Sequence, residues 1–444
     1  MHARTQTISS DLLTPIGAFL ALARPGEACL LESVEHGGRI SRYSFLGLDY
    51  IDARSFSAGP RMLDEIRAFV APYRPQGDAA PLGGALVAFG YDAARPFARL
   101  PARAPSAPAM PDAYVAIPGT WLIFDHFSDR LTIWSCAADA AECERRIATC
   151  VSRLLSTAGM LPRAVGGRGP VAASLDRATF LSLVDRVQEH IREGDVYQLQ
   201  LGIRFAVDLA GGAFEVYRAL RSRNPSPYMF YVDGPFGQVF GASPEFLVRL
   251  EGREARIRPL AGTRSRGVDE ADDARVAAEL LADEKERAEH VMLVDLARND
   301  LGTVCEYGSV SVGELLQIER YSHVMHIVSD VTGRLADGLD GLDLFAAGFP
   351  AGTVTGTPKV RAMQLIDELE PVTRGFYAGS IGRWSYGGDF DSCITLRSVH
   401  VRDGRAFWQA SAGIVADSVP ASEYDEILHK TKIVREVLGV GVKL

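Results

Sequence analysis

Residues 377–418 alternate apolar and polar side chains in strand fashion, with glycine turns at Gly387–Gly388 and Asp403–Gly404. Further strand-like runs fall at 196–208, 228–233 and 237–250, and short apolar runs at Ala28–Leu31, Gly84–Gly90 and Tyr114–Phe124. Helices are predicted at Ala137–Thr157, Thr179–Glu193, about 270–300, Val360–Leu369 and Ser422–Val437. Parallel neighbours need a crossover of a dozen or more residues, usually a helix. Strands here outnumber any regular strand–helix alternation. The pattern therefore predicts an α+β chain with antiparallel sheets.

The 444 residues leave room for roughly three domains of about 150 each. A run of four glycines and two prolines, GMLPRAVGGRGP at 159–170, follows a helical stretch and reads as a domain boundary. It predicts an N-terminal domain at 12–158 and a second at 172–437. The proline-rich run 101–112 reads as a surface loop. Hydrophobic residues at 47% and charged residues at 23% exclude a disordered chain and a coiled coil. The net charge of −9, without a basic stripe or a block of like charge, argues against a nucleic acid partner. An anionic substrate stays open, because a site can be locally basic. The most apolar N-terminal stretch, Leu12–Ala23, contains Pro15 and is too short to span a bilayer, so no membrane association is expected. Six cysteines form no C-x-x-C pair. The seven-residue spacing of Cys136, Cys143 and Cys150 suits one buried helix face. A reducing cytoplasm is the expected location.

Three constellations could carry chemistry. Glu286 and Glu289 lie three apart in one helical stretch, and Glu423 and Glu426 lie three apart in another, so each doublet points two carboxylates to one face. Bringing the doublets together would cost about 2–3 kcal/mol per like-charged pair at ~6 Å with an effective dielectric near 20. A hard dication such as Mg²⁺ would remove that cost. Two solvated charged faces are the alternative. Next comes AGTVTGTPK at 351–359, which lacks the Walker spacing. It is either a loop whose amides and hydroxyls hold a carboxylate or a structural turn. Last, His323 and His326 alternate with apolar residues, so one faces inward, as a core residue or as a catalyst.

Taken together, LLESVE, NPSPYMFY (224–231), GASPE (241–245), PLAGTRSRG (259–267), KERAEHVMLVDLARNDLG (285–302), RYSHVMHIVS (320–329), FPAGTVTGTPKVRAMQLIDELE (349–370), RGFYAGSIG (374–382) and DSCITLRS (391–398) resemble the chorismate-utilising enzymes, specifically the anthranilate synthase component I family. The resemblance implies a two-domain layered α/β sandwich with orthogonally packed antiparallel sheets, the chorismate-binding enzyme fold. It implies Mg²⁺ held by Glu289 and Glu426, with Glu286 and Glu423 holding its waters. It assigns catalysis to Glu245 as general acid for the departing C4 hydroxyl, to His326 in the later pyruvate elimination, and to Thr353. Tyr377 and Arg397 would hold the enolpyruvyl carboxylate, with Gly262, Thr263, Ala412, Gly413 and Lys430 as further substrate contacts. His323 then falls to a structural role. Leu31, Glu32 and Ser33 with Pro227, Tyr228 and Met229 match the family's tryptophan site and imply feedback inhibition.

Positions within the motifs separate sister activities. Where salicylate and isochorismate synthases carry a water-activating lysine, this chain has Gln198. Aminodeoxychorismate synthases usually read P-I-K-G-T where this chain has PLAGT, so Ala261 supplies no amine. Both features point to ammonia as nucleophile and to anthranilate as product, although YQLQL at 197–201 leans toward the aminodeoxychorismate pattern. The alternatives are aminodeoxychorismate synthase component I, a salicylate or isochorismate synthase, and a non-catalytic tryptophan-binding regulator. No glutaminase motif is visible, so a separate glutamine amidotransferase subunit is the expected partner. One departure stands out. The family strand Q-A-G-A-G-I-V reads QASAGIV at 409–415, placing Ser411 where a glycine is usual.

Overall fold

The computed structural model describes residues 1–33, 42–98, 100, 108–156, 163–320 and 324–441. Its contacts define two compact units. The larger holds Met1–Pro244, Val354–Gly387 and Ile394–Leu444; the smaller holds Glu245–Thr353 and Gly388–Cys393. This division follows other lines than the expected domains 12–158 and 172–437. Within the larger unit, strand Ala28–Glu32 pairs with Tyr43–Phe56 on one edge and with Tyr228–Gly234 on the other. Gly84–Phe89 likewise pairs with Ser380–Ser385. Segments before and after 159–170 therefore share sheet hydrogen bonds.

Every strand pair of the larger unit named below is antiparallel, and the α+β class stands. From Tyr228–Gly234 the ladder continues through Gly237–Ser243, Ser398–Arg402 and Arg405–Ile414 to Gln198–Ala210. The last pair matters most for function. Its register sets Gly413 opposite Gln200 and Ser411 opposite Gly202. Because side chains alternate faces along a strand, Gln198, Gln200, Ser411 and Gly413 share one face. Helix Lys359–Leu369 and helix Pro420–Lys430 belong to the same unit. Its core includes Phe19 stacked on Phe214 at 4.0 Å, and Tyr231 stacked on Phe240 at 5.8 Å. Burying such a ring contributes about 1.5–3 kcal/mol. Trp121 and Trp134 are also buried, and their indole N–H groups donate to the carbonyls of Gly84 and Ala79.

In the smaller unit, Phe246–Glu251 pairs with Glu254–Ile257, which pairs with Val331–Arg334. A separate sheet has Val324–Val328 between Leu260–Ser265 and Gln317–Arg320. Ala277, Leu280, Met325 and Ile327 form its compact core.

Several expected elements are split. The helical pattern at 270–300 is two helices, Glu270–Ala282 and Glu284–Gly302. Asp283 is extended between them, and its carboxylate accepts the N–H groups of Lys285 and Glu286 as an N-cap. The expected helix 422–437 is likewise Pro420–Lys430 and Lys432–Leu438, separated at Thr431. Strand 237–250 breaks into Gly237–Ser243 and Phe246–Glu251 around Pro244 and Glu245. The cysteine reading is corrected in part. Cys143 and Cys150 do share a buried face of helix Ala140–Ser156, whereas Cys136 lies on the preceding strand Arg130–Ala137. All six cysteines are free thiols. Among the described residues, no helix is long and apolar enough to cross a membrane.

Candidate active site

The residues expected to act on substrate fall on both units. In the smaller unit, Glu245 follows the break after Pro244, and its side chain is buried. The Thr353 hydroxyl donates to both of its carboxylate oxygens, at 3.3 and 3.4 Å. Burial disfavours the charged form and pushes the carboxyl up to about 8, against the opposing pull of that hydroxyl. Glu245 thus carries a proton at neutral pH. That is the state a general acid needs.

Gly262 interrupts the pairing of Leu260–Ser265 with Val324–Val328, where the register shifts by a bulge. Its φ of 65° and the approach of Leu280 and Glu286, at 3.1 and 3.2 Å from where a Cβ would stand, require glycine. The bulge aims the Gly262 carbonyl at buried His326, whose Nδ1 lies 3.1 Å from that oxygen and 3.0 Å from the Thr263 hydroxyl. A carbonyl only accepts, so Nδ1 carries the proton and Nε2 is the basic nitrogen. The strand pairing brings Gly262, Thr263 and His326 together. His323 lies outside the described residues.

Glu286 and Glu289 sit half-buried on helix Glu284–Gly302, and Glu286 accepts from Arg264 at 2.9 Å. In the larger unit Glu423 and Glu426 lie on helix Pro420–Lys430, where Lys430 donates to Glu426 at 2.6 Å. Each doublet therefore shows its two carboxylates on one helix, with a cation already drawn to one of them. The carboxylates of each doublet are hard oxygen donors of the kind Mg²⁺ takes. Among the described residues, the acidic and histidine side chains whose ligand atoms lie within 4.8 Å of one another are a different set, His190, Glu193 and Asp195, and not the glutamate doublets. There Asp195 is already paired with Arg361 at 2.6 Å.

The larger unit holds the expected carboxylate contacts. Arg397 has φ 46° and Ala378, beside Tyr377, has φ 59°. Both conformations are costly for residues with a Cβ, the kind of strain that clusters at functional positions. Tyr377 is buried, which raises its phenol and keeps it protonated; the charge of Arg374 opposes the shift. Its hydroxyl lies 2.7 Å from Ser411 Oγ. Lys430 donates to the Ser411 carbonyl at 2.9 Å. Gly413 is tight for another reason: a Cβ there would stand 2.9 Å from the amide nitrogens of both Gln198 and Gln200. Ala412 is buried in the same strand.

Beneath this surface lies a pair that the sequence reading did not single out. Glu370 and Arg374 are almost wholly buried and bonded at 2.6 Å. Glu370 also accepts the Gly202 N–H, while Arg374 donates to the carbonyls of Val354 and Gln200. The pair ties the 351–359 loop to strand Gln198–Ala210. The i, i+4 spacing of opposite charges was a visible signal, but helix Lys359–Leu369 ends before Arg374, so the usual surface reading of such a pair hides it.

The expected tryptophan-site segments also meet. Leu31 pairs with Phe230, and Glu32 with Met229. The Glu32 side chain is fully buried and receives Tyr217 at 2.5 Å and two bonds from Arg221 at 3.0 Å. Among the described residues, Ser33 Oγ is buried without a hydrogen-bond partner. Pro227 is buried and Tyr228 half-buried.

Residues 34–436 match the family described as chorismate binding enzyme. Anthranilate synthase component 1 of Thermus thermophilus is 44% identical, with 96% of each chain covered. The protein of the same name from Streptomyces coelicolor is also 44% identical, over 96% of this chain and 87% of that one. Among solved structures, anthranilate synthase component I from Streptococcus pneumoniae superposes with a TM-score of 0.81 at 31% identity, covering 96% of this chain and 99% of that one. The menaquinone-specific isochorismate synthase of Escherichia coli shares the fold, with a TM-score of 0.78 at 20% identity, covering 98% of this chain and 94% of that one. The chain belongs to the chorismate binding enzyme family.

Proposed function

We propose that this chain is the chorismate-using component of an anthranilate synthase. Ammonia adds to C2 of chorismate while the C4 hydroxyl leaves as water, giving aminodeoxyisochorismate; loss of pyruvate and aromatisation then give anthranilate. The observation that carries this reading is Glu245, a carboxyl held protonated near neutral pH by burial and gripped by Thr353. Hydroxide is a poor leaving group, so a positioned proton donor is what the first step needs. The relatives that share the name anthranilate synthase component 1 support the choice of reaction.

In this reading His326, with its proton fixed on Nδ1 by the Gly262 carbonyl, offers Nε2 for proton transfer in the pyruvate elimination. Tyr377 and Arg397 hold the enolpyruvyl carboxylate. Glu289 and Glu426 would hold Mg²⁺, with Glu286 and Glu423 on its waters. When bound, the cation neutralises the ring carboxylate and holds the ring in place. Gln198, a neutral carboxamide, withholds a base from water, which leaves ammonia as the competent nucleophile. The ammonia would come from a glutamine amidotransferase subunit in the reducing cytoplasm. Tryptophan would inhibit by binding at Leu31, Glu32 and Ser33 with Pro227, Tyr228 and Met229.

Incubation of the protein with chorismate, Mg²⁺ and ammonium salt tests the proposal. Anthranilate and pyruvate in equal amounts are expected. Isochorismate, salicylate or aminodeoxychorismate as the main product would overturn it.

A further inference from the structure

Ser411 is the junction of a buried hydrogen-bond chain inside the larger unit. Its hydroxyl donates to Gln200 Oε1 at 2.9 Å and lies 2.7 Å from the Tyr377 hydroxyl. Its carbonyl accepts from Lys430 at 2.9 Å. Tyr377, Ser411 and Gln200 are exposed by only 8%, 4% and 8%, so water does not readily replace a member of the chain.

Proton counting gives this chain a direction. A hydroxyl has one proton to donate, and an amide oxygen can only accept. Ser411 spends its proton on Gln200 Oε1, so the contact with Tyr377 is made by the phenolic proton, donated inward to Ser411 Oγ. Tyr377 then presents lone pairs rather than a proton to any ligand. A carboxylate also offers only lone pairs. For Tyr377 to hold one and keep its bond to Ser411, the chain must reverse: the Gln200 carboxamide turns, its NH₂ group donates to Ser411, and Ser411 donates to Tyr377. With glycine at 411 no such relay exists.

We propose that Ser411 is a positioning residue that holds the Tyr377 hydroxyl proton inward at rest, so that binding of a substrate carboxylate is coupled to the orientation of the Gln200 carboxamide. The proposal rests on the reading of Tyr377 as a carboxylate contact of chorismate. It deepens that reading, because it makes the affinity for an anionic substrate depend on a residue that need not touch the substrate.

The test is a double-mutant cycle read as the Kd for chorismate, titrated without ammonium so that turnover does not intervene. Ser411→Ala frees the phenolic proton, and chorismate should bind about three- to tenfold more tightly, the size of one net hydrogen bond. Gln200→Met should do the same, since Ser411 can then donate to Tyr377; it is also the reserve if Ser411→Ala fails to fold. Ser411→Thr keeps the hydroxyl and should keep the wild-type Kd. In a Tyr377→Phe background, Ser411→Ala should have no effect. Weaker or unchanged binding by both Ser411→Ala and Gln200→Met overturns the proposal, as does an equal shift in the Tyr377→Phe background. These failures leave the anthranilate reading intact. Absence of chorismate binding by the wild-type protein would instead overturn both.

Discussion

Glu245→Gln should separate the chemistry of the site from its stability. The wild-type carboxyl is raised by burial from an ordinary value near 4.5 to about 8. Between those values the folded chain keeps a proton that the unfolded chain releases. The sign follows from linkage: the folded state binds more protons, so stability is fullest below the lower value and falls as pH rises toward the upper one. From pH 4.5 to 7 this spans roughly 2.5 units at ~1.4 kcal/mol each, a loss on the order of 3 kcal/mol. Glutamine has no proton to lose. Relative to wild type, the variant should therefore gain about 3 kcal/mol of stability on going from pH 4.5 to pH 7. Urea unfolding of both proteins at those two pH values measures it. Activity should move the other way, with kcat reduced by about 10²–10⁴, because an amide cannot deliver a proton to the departing hydroxyl. The ammonia-supported rate of wild type should rise with pH as free ammonia replaces ammonium, then fall as Glu245 ionises near 8. Parallel stability profiles for the two proteins, or a variant with near-normal turnover, would refute this account of Glu245.

Removing divalent metal with a chelator should abolish turnover and added Mg²⁺ should restore it; Glu289→Gln and Glu426→Gln should each lose activity with unchanged circular dichroism, and full activity in metal-free buffer would end the metal assignment. Calorimetry should show tryptophan binding, weakened by Ser33→Ala, whose hydroxyl is buried without a hydrogen-bond partner among the described residues; no heat at millimolar ligand (about 1 mM marks a binding free energy near −4 kcal/mol) would remove the regulatory site. Gln198→Lys should divert part of the product to isochorismate or salicylate, provided the new amine is desolvated enough to lose its proton, and an unchanged product ratio would refute the role given to residue 198.

The fold class was legible because antiparallel strands announce themselves locally, through alternation and turn glycines such as Gly387–Gly388 and Asp403–Gly404. Helix breaks were less visible. Asp283 and Thr431 interrupt stretches whose apolar spacing continues on both sides, so periodicity ran straight through them. The boundary at 159–170 rests on local signals of a related kind. Glycine and proline mark where a chain turns, whereas membership of a compact unit depends on which strands pair, and Ala28–Glu32 pairs with Tyr228–Gly234 nearly two hundred residues away.

Within the candidate site, the motifs named the groups but not their protonation. A carboxyl in GASPE has no visible reason to hold a proton at pH 7; the reason is its burial, which no local pattern encodes. The same holds for donor direction. Ser411 could be flagged only as an unusual residue, since its meaning depends on the register that sets strand Arg405–Ile414 against Gln198–Ala210. That register places Ser411 and Gln200 on one face, and Tyr377 reaches the junction from a different segment. A serine in the same strand shifted by one residue would point to the opposite face and meet neither partner. Identity of the reacting groups is thus carried by short motifs, while their charge state and hydrogen-bond polarity are set by pairing between segments far apart in the chain. Substitutions at those pairing positions should accordingly tune substrate affinity and pH dependence before they change which reaction is catalysed.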